Sequence, residues 1–315
     1  MDALNRRRRF DGPQPVDKAI VLTEADYALF DALYRHGPLP SHYLYEFAKH
    51  RRKHPKDHQA RLTQLFHGTP AGHFLTRPKT FFDSFEARYQ PMIYDLHPRA
   101  IAALSERDRL PDYIPSRDDH LLHRFMGACV GASIELAAKE AGLRYITKSE
   151  IFVHPKCPDA TRTAPNPLAI PFWDTRLVPD DIFGIEYADG SFLFFAVEID
   201  RNTESIERKD LSQNAYGLKL KGYLEIMREQ LFKTRWGLPN LVVLTVTTNA
   251  RHMRNMMDYL NKQDDPRLHK WFLFKAKPDF GTNWRVPKDV MRDLFTEPWQ
   301  RANGSTLSIK KESAA

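Results

Sequence analysis

A hairpin signal near the middle of the chain constrains the fold more than any other feature. Two apolar runs, Ile182–Tyr187 and Ser191–Ile199, flank Asp189-Gly190, a strong signal for a tight hairpin turn. Side chains alternate along a strand, so acids two residues apart near the end of the second run share one face. Acidic residues therefore gather at the open end of the predicted hairpin: Asp180, Asp181, Glu198 and Asp200.

Carboxylate oxygens grouped in this way suit a hard divalent cation. Such a cation polarises a phosphate and generates hydroxide from water, which is the chemistry of phosphodiester hydrolysis. We therefore expect a Mg²⁺ site, with Mn²⁺ as a substitute, in which Asp180, Glu198 and the carbonyl of Ile199 are joined by Asp181 or Asp200. In the structural alternative these acids cap loops or pair with surface arginines, each pair contributing about 0–1 kcal/mol.

The composition favours an anionic partner. The chain has 315 residues, a net charge of +7 and a pI of about 9.3, and its apolar content of 42% is sufficient for real cores. Two cysteines without metal-binding spacing predict a reduced, cytoplasmic protein. No apolar run is expected to span a membrane.

The N-terminal part has the pattern of a winged helix-turn-helix. Residues 1–20, with Arg6–Arg9, are predicted to be a disordered basic arm. Three helices then precede a ribbon formed by His73–Thr76 and Pro91–Leu96, which predicts a winged-helix domain over residues 21–110 that binds double-stranded DNA. The residues expected to contact DNA are Arg51, Arg52, Lys53, Lys56, Arg61, Gln64, Arg77 and Lys79. A solvated basic face and a protein-interaction module are the alternatives.

A predicted linker at Pro111–Arg117 is followed by a second domain over residues 118–298. Its predicted helices and strands alternate in the order of an α/β domain with a mixed sheet. The last strands are joined by helices and are expected to be parallel and buried. The tail, residues 299–315, is polar and predicted to be loose. The elements predicted around the hairpin are a helix from Asp118 to Ala141, a strand at Arg144–Phe152, a loop over residues 154–175, a helix at Glu204–Trp236 broken near Gly217 or Gly222, and strands at Leu241–Thr248 and Trp271–Lys275.

This order resembles the core of the PD-(D/E)xK nuclease superfamily, so the second domain is expected to be restriction-endonuclease-like. Pro179-Asp180 matches the first acid and Glu198 the second, but Asp200 stands where the superfamily has lysine. The chain also resembles the replication-relaxation family, which includes MobC-like plasmid mobilisation proteins. That resemblance is carried by Val178-Pro179-Asp180, by Glu198-Ile199-Asp200-Arg201-Asn202-Thr203-Glu204 and by Lys219-Leu220-Lys221-Gly222-Tyr223.

The resemblance implies two kinds of function. In the first, a metal-dependent enzyme nicks or cuts DNA with the candidate catalytic residues Asp180, Glu198, Asp200 and Lys219, where Lys219 or Lys221 supplies the lysine missing at position 200. In the second, a non-catalytic DNA-binding accessory or regulator assists a relaxase or a replication protein. An adaptor that binds acidic proteins is a third alternative, which a strong salt dependence of DNA binding would exclude.

Overall fold

The computed structural model describes residues 12–52, 54–82, 90–107, 121–201, 215–281 and 284–311. The basic run Arg6–Arg9, Lys53 and the predicted linker Pro111–Arg117 lie outside these ranges. The chain divides into two compact units, Met1–Ala132 with Arg285–Met291 and Ser133–Trp284 with Arg292–Ala315. The fold is α/β, as the sequence predicts.

The first unit contains short helices and a small antiparallel sheet. Its strands are ordered β1-β3-β2, so the ribbon predicted from His73–Thr76 and Pro91–Leu96 is present as β2 and β3. The elements are α1 (Glu24–His36), β1 (Leu39–Pro40), α2 (Ser41–Ala48), α3 (Pro55–His67), β2 (Leu75–Thr76), β3 (Ile93–Leu96) and α4 (Pro98–Ser105).

Local chemistry explains where α1 begins and ends. The side chain of Thr23 accepts a hydrogen bond from the backbone of Asp26, and Asp26 returns one to the backbone of Thr23, which forms a capping box. Gly37 ends the helix with a φ of 95°, and its amide donates to the carbonyl of Leu33. The apolar side of α1, including Leu29, Phe30 and Leu33, is fully buried.

The second unit is built around a seven-stranded mixed sheet with the order β12-β11-β10-β9-β8-β7-β4. A separate hairpin is formed by β5 and β6. The elements are α5 (Leu121–Glu140), whose first turns belong to the first unit, β4 (Arg144–Ile146), α6 (Lys148–Val153), α7 (Asp159–Arg162), β5 (Ile170–Phe172), β6 (Thr175–Leu177), β7 (Asp181–Glu186), β8 (Phe192–Asp200), α8 (Ala215–Arg228), α9 (Leu231–Trp236), β9 (Val242–Thr247), α10 (Ala250–Asn261), α11 (Pro266–His269), β10 (Phe272–Ala276), α12 (Asp293–Thr296), β11 (Trp299–Gln300) and β12 (Thr306–Leu307).

The hairpin predicted around Asp189-Gly190 is confirmed: β7 and β8 pair antiparallel, and Gly190 has a φ of 74°. The parallel prediction is also confirmed, because β8 pairs with β9 and β9 with β10 in parallel. In the first of these pairings Glu198 is level with Thr245 and Asp200 with Thr247. Helices therefore follow the carboxyl ends of buried strands, where ligand sites of α/β proteins form.

Three local predictions were wrong. The strand expected at Arg144–Phe152 stops at Ile146, because Thr147 and Glu150 form a capping box that starts α6. The helix expected at Glu204–Trp236 is interrupted between Arg228 and Leu231, where Gln230 has a φ of 52°; Gly217 and Gly222 lie inside α8, and residues 202–214 are outside the described part. The loop expected over residues 154–175 contains α7 and most of the β5–β6 hairpin.

Two further expectations need correction. The tail predicted to be loose from Trp299 contributes β11 and β12 to the sheet, and both Trp299 and Ile309 are fully buried. One helix, Leu121–Glu140, has the length and mean hydropathy of a membrane span, although the sequence was expected to contain no such run. Most of that segment, 78%, is buried within the protein, as in the core helix of a globular domain.

Candidate functional site

A buried glutamate at the carboxyl end of β8 is the centre of the candidate site. Glu198 is 2% exposed. Its Oε1 accepts a hydrogen bond of 2.6 Å from the hydroxyl of Tyr223, and its Oε2 accepts one from Nζ of Lys219. Residues four apart lie on the same face of a helix, so α8 directs both groups toward Glu198.

Asp180 completes this arrangement from the other strand of the hairpin. Its backbone amide donates to the carbonyl of Val197 at 3.0 Å, which extends the β7–β8 ladder by one residue. Its Oδ2 accepts a hydrogen bond of 2.7 Å from the amide of Ile199, and its Oδ1 lies 3.8 Å from Nζ of Lys219. One ammonium group is therefore shared by two carboxylates.

The pKa values of Glu198 and Lys219 are both raised in this site. Burial and the negative charge of Asp180 raise the pKa of Glu198 to about 7, and these effects outweigh the opposing influence of Lys219 and Tyr223. Burial would lower the pKa of Lys219, but the charges of Glu198 and Asp180 outweigh burial and raise it. Lys219 thus remains a cation beside a carboxyl group that titrates near neutral pH.

The other two predicted carboxylates have different partners from Asp180 and Glu198. Asp181 follows Asp180 on the strand and pairs with Nζ of Lys148 at 3.0 Å. Asp200 shares the face of Glu198, acts electrostatically on Lys219, and lies 3.3 Å from Nε2 of His252 on α10. Among the residues that the structure describes, no group of three or more His, Cys, Asp or Glu side chains is placed to hold a metal ion.

Two contacts of the site were not anticipated. No chemical role is predicted for Tyr223 from the sequence, although its spacing of four from Lys219 on a predicted helix could have indicated one. His252 carries no local signal, because its position beside Asp200 depends on how α10 packs against the sheet. Of the two lysines considered for the site, Lys219 is the one that contacts Glu198.

Several residues predicted to contact DNA are engaged within the first unit. Arg52 and Arg61 both pair with the fully buried Asp26, at 3.1 Å and 2.7 Å. Burial opposes ionisation of Asp26, but hydrogen bonds from Arg61 and Thr23 outweigh it and lower its pKa. Nη1 of Arg61 also donates to Oε1 of Gln64 at 2.7 Å. These groups stabilise the unit and are less available to a phosphate.

Among the remaining described residues of the predicted set, one arginine contacts other side chains of the unit and the others are exposed. The guanidinium of Arg77 lies 4.0 Å from the centre of the Phe66 ring and donates to the hydroxyl of Tyr94 at 2.9 Å. Among the residues of this set that the structure describes, the basic side chains of Arg51, Lys56 and Lys79 are exposed.

Comparison with known proteins identifies the family. Searches of curated proteins and of solved structures found no match. The family model described as replication-relaxation matches residues 30–242, a range that includes Asp180, Glu198, Lys219 and Tyr223. The chain belongs to the replication-relaxation family, and this membership suggests a role in the replication or relaxation of a plasmid or other mobile element.

Proposed function

We propose that this protein binds double-stranded DNA through its first unit and hydrolyses a phosphodiester bond at Asp180, Glu198 and Lys219. One observation carries the proposal. Lys219 reaches from α8 to the two carboxylates at the end of the hairpin. A nuclease of the superfamily that the sequence resembles has a lysine two residues after the glutamate, and here a helix supplies the same group.

The donor set suits Mg²⁺. This cation is usually held by one or two carboxylates, with water and substrate phosphate oxygens completing its coordination. Asp180 Oδ1 and Glu198 Oε2 both lie against Nζ of Lys219, and Ile199, whose carbonyl is the third expected ligand, follows Glu198 in the sequence. When bound, the cation would polarise the phosphate and acidify a water molecule.

The protein's own residues have separate roles in the proposed reaction. Tyr223 fixes Glu198 through its 2.6 Å hydrogen bond, and the amide of Ile199 fixes Asp180 in the same manner. The ammonium of Lys219 stabilises negative charge that develops on the phosphate oxygens. Because the pKa of Glu198 is raised to about 7 without the cation, binding of Mg²⁺ near neutral pH would release its proton.

The arrangement of the first unit supports DNA binding. Its order of helices and strands, with β1-β3-β2 as a small antiparallel sheet, is typical of a winged helix. In that arrangement α3 would enter the major groove. Lys56 is exposed near the start of α3, and Arg51 and Lys79 are exposed before and after this helix. Phosphate contacts from such side chains position a protein on a duplex.

Nicking of supercoiled plasmid in Mg²⁺ or Mn²⁺ tests the catalytic part. Asp180→Asn, Glu198→Gln and Lys219→Met should each reduce the rate at least about 100-fold. Asp181→Asn is the matched control, because the neighbouring carboxylate pairs with Lys148 and should be dispensable. Equal cutting by wild type and Asp180→Asn would contradict the assigned site, whereas loss of cutting in Asp181→Asn would restore Asp181 as a ligand.

A non-catalytic accessory that assists a relaxase or replication protein is the second candidate. The observation that favours it is the ammonium of Lys219, which already contacts both carboxylates and offsets part of their negative charge. This function predicts tight DNA binding with no metal-dependent cutting by wild type or by Glu198→Gln. The same plasmid assay therefore separates the two candidates.

Binding to a DNA duplex at several salt concentrations tests the first unit. Lys56→Ala should weaken binding and reduce the slope of log affinity against log salt by about 1. Lys233→Ala removes an exposed lysine from the second unit and should leave the slope unchanged. A Lys56→Ala protein with the slope of wild type would show that α3 does not contact phosphates.

A further inference from the structure

An exposed tryptophan at the tip of the β5–β6 hairpin has no role in the proposed catalytic site. Trp173 is 69% exposed and has a φ of 48°. It occupies, with Asp174, the two-residue turn between Phe172 and Thr175. A positive φ at the first turn position is ordinarily met by glycine, and a bulky side chain there is strained. A strained, exposed aromatic residue is a reason to look for a function.

The hairpin is seated on the helix that supplies the candidate site. A Cβ atom added to Gly222 of α8 would lie 2.7 Å from Cζ of Phe172 and 3.0 Å from Cδ1 of Leu177. Gly222 precedes Tyr223 and is three residues, or about 4.5 Å along the axis, from Lys219. Trp173 is the residue after Phe172, so one short helical segment carries both the hairpin tip and the site lysine.

The surroundings of Trp173 favour a nucleobase over a protein partner. The adjacent turn and strand residues Asp174, Thr175 and Arg176 are exposed and polar, so the indole does not belong to a broad apolar patch. Its ring centroid is 5.4 Å from that of Phe172 at an angle of 56°, which leaves the indole largely exposed. Aromatic faces beside basic groups bind unpaired bases by stacking, with little dependence on sequence.

We infer that Trp173 is a stacking platform for an unpaired base of the DNA strand that enters the Asp180–Glu198–Lys219 site. The inference rests on the proposed function and adds its substrate class: DNA that is single-stranded next to the scissile phosphate. Phe172 and Leu177 hold the platform on α8, and Arg176 is placed on the same hairpin to contact the backbone.

Binding of a twelve-nucleotide oligo(dT) measured by fluorescence anisotropy in EDTA tests this inference without cleavage. Trp173→Ala should raise Kd between about 5-fold and about 150-fold, since stacking contributes about 1–3 kcal/mol per base. Trp173→Phe should retain most of the affinity. Phe192→Ala is the matched control, because Phe192 is also an exposed aromatic residue but lies at the opposite end of β8 from Glu198.

An abasic oligonucleotide of the same length separates stacking from phosphate contacts. Wild type and Trp173→Ala should bind it equally. Oligo(dT) should also quench the tryptophan fluorescence of wild type, and this quenching should be largely lost in Trp173→Phe. Thermal unfolding of each variant confirms that it is folded.

Equal binding of oligo(dT) by wild type and Trp173→Ala would overturn the inference, and so would an equal loss of affinity for the abasic strand. The outcome is independent of the plasmid assay. Stacking without metal-dependent cutting would remove the catalytic proposal and leave Trp173 as a base-binding residue. Metal-dependent cutting with no effect of Trp173→Ala on oligo(dT) binding would keep the catalytic proposal and remove Trp173 as a base-binding residue.

Discussion

Replacing Glu198 by glutamine should change how the stability of the second unit depends on pH. Glu198 is 2% exposed, and its pKa is raised from an ordinary value of 4.5 to about 7 by burial and by Asp180. The unfolded chain exposes this carboxyl group to water, where its pKa returns to the ordinary value. Folding is therefore linked to the binding of one proton.

The sign of the effect follows from which state holds that proton. Between pH 4.5 and about pH 7 the folded protein retains the proton and the unfolded chain has lost it, so the free energy of unfolding falls as the pH rises. A pKa difference of about 2.5, at about 1.4 kcal/mol for each factor of ten in proton affinity, gives up to about 3 kcal/mol. The raised pKa of Lys219 acts above its ordinary value of 10.5, outside this window.

Urea unfolding at pH 5 and pH 7.5 in EDTA measures this difference. All five tryptophans belong to the second unit, so tryptophan fluorescence reports on the unit that contains Glu198. Wild type should lose about 2 kcal/mol more than Glu198→Gln over this interval, which covers most of the window. Glu186→Gln, on the exposed end of the same hairpin, should behave as wild type. Parallel pH profiles for wild type and Glu198→Gln would refute the raised pKa.

Three further substitutions probe packing and strain. Arg61→Ala should destabilise the first unit by about 3 kcal/mol because it leaves the buried Asp26 underpaired, and hydrogen exchange in α1 and α3 should then be faster. Gly222→Ala should cost about 1–3 kcal/mol in urea unfolding, because its methyl group would meet Phe172; unchanged stability would contradict the seating of the hairpin. Trp173→Gly should raise the stability by about 1 kcal/mol by relieving the positive φ, and a lower melting temperature would contradict that strain.

The parts of the fold that could be predicted from the sequence are those set by local patterns. Asp189-Gly190 between two apolar runs predicts the hairpin of β7 and β8 but not its register, because the turn contains three residues, Ala188–Gly190, between Tyr187 and Ser191. The apolar run at Leu241–Thr248 similarly predicts a buried parallel strand. These signals depend on neighbours in the sequence, so no tertiary information is needed.

The side-chain partners of the basic residues could not be predicted in this way. Arg61 meets Asp26 across 35 positions of the chain, and Arg77 stacks on Phe66 only after α3 and β2 have packed. From the sequence alone, each of these arginines is as good a phosphate ligand as Lys56. Burial of Trp299 on β11, the second strand from the edge of the sheet, is a tertiary effect of the same kind, and the sequence of the tail does not indicate it.

The lysine of the candidate site shows how a sequence motif and the geometry it encodes can differ. A lysine two residues after Glu198 would lie on the same face of the strand. When only the motif is considered, Asp200 at that position therefore suggests that nuclease activity has been lost. Lys219 reaches the same carboxylate from α8, with Tyr223 one turn further along the helix. Catalysis depends on where the ammonium lies and not on which element carries it, so the aspartate at position 200 is not evidence against activity. Asp200 instead approaches His252, an interaction that a lysine at that position would not make.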